Sequence, residues 1–207
     1  MAFINKKSRN PKEKKKEEKL RWDRALLLYL HDMVYLLVTV VIVLLLIFRV
    51  VIVSGSSMYD SLIHGDLLLL LSNTFYAEPE YGDIIVLSTE SFDNGTPIVK
   101  RVIATEGQTV DIDFEAGIVY VDGVALEEDY TYTKTTTQEG VSFPLRVEEN
   151  HVFLMGDNRK ESQDSRYPAI GQVDERELLG KAVFLFMPGT NKGNDPFDIT
   201  RIGVLGK

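Results

Sequence analysis

MVYLLVTVVIVLLLIFRVVIV, residues 33–53, is the stretch on which the architecture turns. From Met33 to Phe48 sixteen residues pass without a charge, and if Arg49 extends its guanidinium to an interface the apolar run reaches Val53. A helix of this length would span about 31 Å at 1.5 Å per residue, which matches the hydrocarbon core of a bilayer. Valine and leucine fall on every face, so such a helix has no side for water, which favours a transmembrane anchor over a buried core helix. A cleavable signal peptide is the competing reading, with Ser54-Gly55-Ser56 as its small-residue cleavage region. The run is longer than a typical signal h-region, so an uncleaved anchor is expected.

On the N-terminal side, residues 1–32 hold ten Lys/Arg against five Asp/Glu, a net +5, so the remainder of the chain carries −13 of the overall −8. Residues 5–19 show no apolar periodicity and read as a solvated tail. Basic residues ahead of an apolar span place the N-terminus in the cytoplasm and the C-terminal domain outside it. The acidic main body argues against a nucleic-acid partner, which would need clustered Lys and Arg on the globular part. The chain has no cysteine, which removes disulfides, thiolate nucleophiles and thiolate metal sites. It has three histidines, His31, His64 and His151. No ligand cluster or phosphate-binding glycine loop implies a metal or cofactor.

On the C-terminal side the pattern changes to short β-like runs separated by turn residues: Leu67 to Leu71, Asp83 to Leu87, Ile98 to Ala104, Val110 to Phe114, Ile118 to Val121, His151 to Met155 and Ala182 to Met187. This predicts a mainly β domain. Asp122-Gly123 and Glu115-Ala116-Gly117 are hairpin signals, and residues 129–142 read as a surface excursion from the sheet.

Four segments bear on chemistry. Ser54-Gly55-Ser56-Ser57-Met58-Tyr59 follows the anchor, although a Ser/Gly cluster is usually a linker. Tyr81-Gly82-Asp83-Ile84-Ile85-Val86 reads as scaffold. Lys100-Arg101-Val102-Ile103-Ala104 puts two cations in an apolar strand. Alternation sets Lys100 with Ile98, Val102 and Ala104, and Arg101 with Val99 and Ile103, so one of the two charges must face apolar surroundings. A lysine there either reaches out to solvent or, if dry, has its pKa lowered from about 10.4 toward working pH, at about 3 to 4 kcal/mol, and becomes a base. Arg101 would stay charged in either case. Gly156-Asp157-Asn158-Arg159-Lys160-Glu161-Ser162-Gln163-Asp164-Ser165-Arg166 is a dense polar run, whose composition alone fits a surface loop with ion pairs.

These segments, in this order after an apolar span, resemble the bacterial type I signal peptidases in their shorter Gram-positive-like form. The resemblance runs from the anchor to about Pro188: a serine box at Ser57-Met58-Tyr59 with Leu62, a second box at Gly82 to Val86, a lysine box at Lys100 to Ala104, a last box from Gly156 to Arg166, and Gly180-Lys181-Ala182 in the closing strand. The resemblance implies coiled, barrel-like antiparallel sheets, Ser57 as nucleophile and Lys100 as general base. It further implies that Ser162 hydrogen-bonds and orients the lysine, that Asp164 and Arg166 form a supporting ion pair, and that Met58 borders the substrate. Such a dyad keeps the logic of a weak hydroxyl nucleophile, a base within reach and a third group that orients the base. Two positions depart from the pattern. Asp60-Ser61 stands in place of Pro-Thr, and Gly55 stands where some members carry a serine that helps to bind the oxyanion, a donor worth about 3 to 4 kcal/mol.

The expected organisation is a cytoplasmic basic tail over residues 1–32, a transmembrane anchor over 33–53, and an extracytoplasmic β peptidase domain over 54–207 with a small accessory hairpin region at about 108–150. The expected partners are the bilayer and preproteins bearing signal peptides, cut after Ala-x-Ala-type sites. A self-cleaving Ser/Lys peptidase similar to the SOS-response repressors is the alternative enzyme, since Ala116-Gly117 is the dipeptide such proteins cut. A catalytically inactive membrane-tethered β module is the non-enzymatic alternative.

Overall fold

Pro11 in the first turn, followed by lysine, glutamate, leucine and arginine without a glycine, opens a single helix, α1 (Pro11–Ile47). The computed structural model describes residues 11–76, 78–190 and 198–206. The chain divides into two units, Met1–Leu46 and Ile47–Lys207. Within α1, Lys19–Ile47 is long and apolar enough to cross a membrane, and side chains such as Leu27, Leu36 and Leu45 are exposed.

Two expectations change here. The basic tail is helical from residue 11, because strong helix formers extend a helix already nucleated by the apolar run; residues 1–10 lie outside the described residues. The apolar run does not stay helical to Val53. The helix ends at Ile47, and Phe48–Ile52 forms β1, paired antiparallel with β2 (Leu67–Ser72), Arg49 facing Leu70 and Val51 facing Leu68. Val50, Val51 and Ile52 are β-branched, and a leucine-rich strand offers them a partner, so extended backbone wins.

From β1 onward the domain is mainly antiparallel β, as the sequence predicts. Its larger sheet also contains β3 (Ile84–Leu87), β4 (Ile98–Ala104), β9 (His151–Met155), β10 (Val173–Asp174), β11 (Leu178–Met187) and β12 (Gly203–Val204). The order is β1-β2-β11-β3-β4-β9-β10, with β12 on β11. A smaller sheet holds β5 (Thr109–Asp113), β6 (Ile118–Val121), β7 (Val124–Ala125) and β8 (Leu145–Arg146) in the order β7-β6-β5-β8. Glu115-Ala116-Gly117 turns β5 into β6 and Asp122-Gly123 turns β6 into β7, with Asp122 and Gly123 both at positive φ. Ala116-Gly117 thus lies in a tight hairpin, where Asp113 Oδ1 accepts from the Ala116 N–H.

Register shifts at Leu178/Gly180, Ala182/Phe184 and Leu185/Met187 bend β11, the strand that joins β2 to β3, and coil the larger sheet. A further shift lies between Val102 and Ala104 of β4. It breaks the expected alternation: Val102 packs with Ile85, Leu87 and Leu154, whereas Ile103 and Ala104 both pack with Val110, Phe153 and Met155 between the two sheets. A third apolar cluster, including Val53, Met58, Leu62, Leu68 and Leu70, underlies the turn after β1.

Gly180 lies where β11 meets both β2 and β3, and a Cβ there would come within 2.2 Å of Leu71 O. Gly180→Ala should therefore destabilise the domain by about 1 to 3 kcal/mol through forced strand separation. Thermal or urea unfolding compared with the parent measures it; an unchanged midpoint would refute the close approach.

Candidate active site

After β1 the chain reverses through Gly55, at φ +94, into a turn in which Leu62 N–H donates to Met58 O. Met58 and Leu62 are both buried in the core beneath this turn, and Ser57 is left half-buried at its surface. Lys100 reaches the same place from the middle of β4. Its Nζ donates to Ser57 Oγ at 3.0 Å and to Val99 O at 3.0 Å. The residue is 3% exposed. Burial pushes its pKa down to about 8, with Arg166 pressing in the same direction and Asp164 and Asp157 opposing. A lysine that loses its proton near neutral pH, within hydrogen-bond reach of a hydroxyl, can act as that hydroxyl's base.

The loop after β9, Gly156 to Arg166, closes the site. Asp157 accepts from Arg101 through both oxygens, at 2.8 and 2.6 Å, and Asp164 likewise accepts from Arg166 at 2.8 and 2.9 Å. Arg159 bonds Glu128, just ahead of the 129–142 excursion, and Thr135 within it, thereby holding the excursion against the loop, and Thr133 bridges to Asn158. Gly156 is required sterically: a Cβ would lie 2.2 Å from Ser162 Oγ and 2.5 Å from Ser57 O.

Ser57, Lys100 and the Asp164–Arg166 pair, singled out in the sequence, thus come together. Ser162 is brought to the site, but the expected bond to Lys100 is not formed. Its hydroxyl is buried without a hydrogen-bond partner among the described residues. Met58, expected to border the substrate, is 2% exposed and packs in the apolar cluster under the turn. Sequence reasoning also missed the Arg101–Asp157 pair and the role of Arg159. Asp60 is exposed on the rim of a cavity of about 280 Å³ shared with Ser61, Asp129, Tyr130, Thr131 and Tyr132. Among the described residues no group of His, Asp or Glu is arranged to hold a metal ion.

Residues 26–187 match the signal peptidase family, peptidase S26. The chain belongs to this family. Among its relatives are a probable signal peptidase I-1 of Synechocystis sp., 36% identical over 68% of this chain and 72% of that protein, and signal peptidase I T of Bacillus subtilis, 30% identical over 85% and 89% respectively. A crystal structure of a signal peptidase I from Enterococcus faecalis V583 is 32% identical, covers 50% of this chain and 96% of that one, and superposes with a TM-score of 0.42. The enzyme class is that of the type I signal peptidases, serine endopeptidases, as the sequence motifs predict.

For a signal peptidase of this build the dry lysine has a cost. A fall in pKa from 10.5 to about 8 corresponds to about 3 kcal/mol of disfavoured charge in the folded state below pH 8. Between pH 8 and 10.5 the unfolded chain binds the extra proton, so this group makes stability rise with pH there and contributes no penalty above that window. Lys100→Met should accordingly raise folded stability at pH 7 by up to about 3 kcal/mol, with the gain fading as pH approaches 10.5. Denaturant unfolding at both pH values checks this, and a destabilised variant at pH 7 would count against a desolvated lysine.

Proposed function

We propose that this signal peptidase is a membrane-anchored endopeptidase that removes signal peptides from exported preproteins with Ser57 as nucleophile and Lys100 as general base. The observation that carries the assignment is the 3.0 Å contact between Ser57 Oγ and a buried amine whose pKa lies near 8. Neutral Lys100 takes the Ser57 hydroxyl proton as Oγ bonds to the scissile carbonyl carbon, and the carbonyl π pair moves onto oxygen. Collapse of the tetrahedral intermediate breaks the C–N bond, and protonated Lys100 returns its proton to the departing amine. Water then repeats the sequence on the acyl-enzyme: Lys100 removes its proton, the carbonyl re-forms, and the proton goes back to Ser57 Oγ.

Ser162 is the residue proposed to orient Lys100: its buried hydroxyl has no hydrogen-bond partner among the described residues, Lys100 included, and it lies on the loop that Asp164 and Arg166 brace. The membrane assignment rests on α1, whose apolar part ends at Ile47, ten residues before Ser57; the basic residues ahead of it support a cytoplasmic N-terminus and an extracytoplasmic β domain. The relatives' printed names supply the reaction, removal of signal peptides. The expected cut follows Ala-x-Ala-type sites, bound as an added extended strand.

Ser57→Ala and Lys100→Ala should each lower cleavage of a preprotein carrying an Ala-x-Ala site, in detergent or liposomes, by about 10⁴-fold. Parent-like turnover by either variant would remove the dyad. Because only neutral Lys100 accepts the proton, kcat/KM should rise with pH and level off above about 8. A rise that begins only near pH 10 would identify an unperturbed lysine.

A further inference from the structure

The tetrahedral intermediate places a negative oxygen beside Ser57, and hydrogen-bond donors aimed at that oxygen are the largest electrostatic aid such a site can offer. The donor nearest to hand is the N–H of Ser57 itself. It has no acceptor among the described residues, and the turn leaves it half-exposed. Position 55, a glycine, has no side-chain donor to add beside it. The direction of one peptide N–H therefore matters more here than in a site with several donors.

That direction is set from the opposite side of the peptide. The Ser56–Ser57 bond is trans, so its N–H and C=O point opposite ways. Ser56 O accepts from Tyr59 N–H at 3.0 Å within the turn and from Asn158 Nδ2 at 3.2 Å, and Ser57 O accepts from Asn158 N–H at 2.9 Å, so Asn158 is the residue outside the turn that reaches both successive carbonyls. With Ser56 O held toward Asn158, the Ser57 N–H faces away from it. The Asn158 amide is itself oriented: Thr133 Oγ1 donates to its Oδ1 at 3.2 Å, and Nδ2 donates also to Glu161 Oε2 at 3.3 Å. A flipped amide would set oxygen against both Ser56 O and a carboxylate. Glu161 closes the triangle, its Oε2 accepting from Ser56 Oγ at 2.6 Å and its N–H donating to Asn158 O at 3.1 Å.

We propose that Asn158 and Glu161 are positioning residues that fix the Ser56–Ser57 peptide plane so that the Ser57 N–H meets the oxyanion. The proposal rests on Ser57 being the nucleophile. Neither side chain touches the reacting atoms. Asn158 is 4% exposed and Glu161 is exposed, so Glu161 can be replaced without disturbing the core.

The test compares full-length parent, Glu161→Ala, Glu161→Gln, Ser56→Ala, the Ser56→Ala/Glu161→Ala double variant, Asn158→Asp and Ser57→Ala on one preprotein in detergent, with unfolding midpoints for each. Loss of the donor outright costs about 10² to 10³ in kcat, so a misdirected donor should cost Glu161→Ala about tenfold and Asn158→Asp, which turns an oxygen on Ser56 O, about 100-fold. KM should stay within about twofold and the rising pH limb should remain near 8, because Lys100 is untouched. Glu161→Gln keeps an acceptor for the Ser56 hydroxyl and should return to within about threefold of the parent, while the double variant should be no slower than Glu161→Ala alone. Unchanged kcat in Glu161→Ala, a loss carried by KM, a displaced pH limb, or a loss that glutamine does not restore would each overturn the proposal. If Ser57→Ala is inactive while Glu161→Ala is parent-like, this inference alone falls; if Ser57→Ala cleaves normally, the nucleophile assignment falls first and takes it along.

Discussion

Four cations lie buried around Ser57 among the described residues, and three of them have a carboxylate of their own: Arg101 with Asp157, Arg159 with Glu128, and Arg166 with Asp164. Lys100 has an alcohol and a backbone carbonyl instead. A guanidinium stays charged and must be neutralised where it is buried, whereas an ammonium can relieve the same burden by giving up its proton. The distribution of partners therefore decides which buried cation has its proton loosened. Asp157 and Asp164 are the carboxylates that hold the Lys100 pKa up, yet both oxygens of each are engaged by an arginine. Their pull is offset at short range, and burial remains the dominant influence on the lysine.

That arrangement explains what the sequence disclosed and what it withheld. Ser57 and Lys100 were legible through the order of short motifs, and the β runs through alternation and turn residues. The physical demand on Lys100, a dry strand, was also legible from Ile98 and Val102. The Asp164–Arg166 pair was legible in the same way, through the last motif, but the other two carboxylate partners were not: Glu128 pairs with Arg159 across 31 positions and lies just ahead of an excursion without periodicity. Asp157 and Arg101 sit in different boxes, and nothing in either segment signals that their charges cancel. The burial of Met58 had a signal of its own, since Met58 and Leu62 are both apolar and close a turn through the Leu62 N–H bond to Met58 O. Residues 48–52 were misread for a physical reason. Hydropathy treats a lipid-facing helix and an apolar strand alike, and only the cluster of Val50, Val51 and Ile52 pointed to extended backbone.

The bulge in β4 has a functional side. Strict alternation would have set Ala104 on the Lys100 face, whereas the register shift after Val102 turns Ile103 and Ala104 together toward the second sheet. One strand thereby supplies a dry wall near Lys100 at one end and a packing surface for the smaller sheet at the other. The smaller sheet is then bonded to the rest of the domain by apolar contacts through Phe153 and Met155, not by a continuous hydrogen-bond ladder.

The buried ion pairs are poorly explained as devices for stability. Replacing such pairs by well-packed apolar residues is commonly neutral or stabilising, while removing one partner is strongly destabilising. Their positions make more sense as geometry. Arg159 fastens the excursion at Glu128 and Thr135, Arg166 braces the loop by bonds to Asp164 and to Arg159 O, and Asn158 in between fastens the turn that carries Ser57. A polar loop built in this way fixes the Ser57 turn from one side while an apolar strand dries Lys100 from the other. Apolar substitutes could fill the same volume, but they could not offer the directed donors that hold Ser56 O and Ser57 O in place.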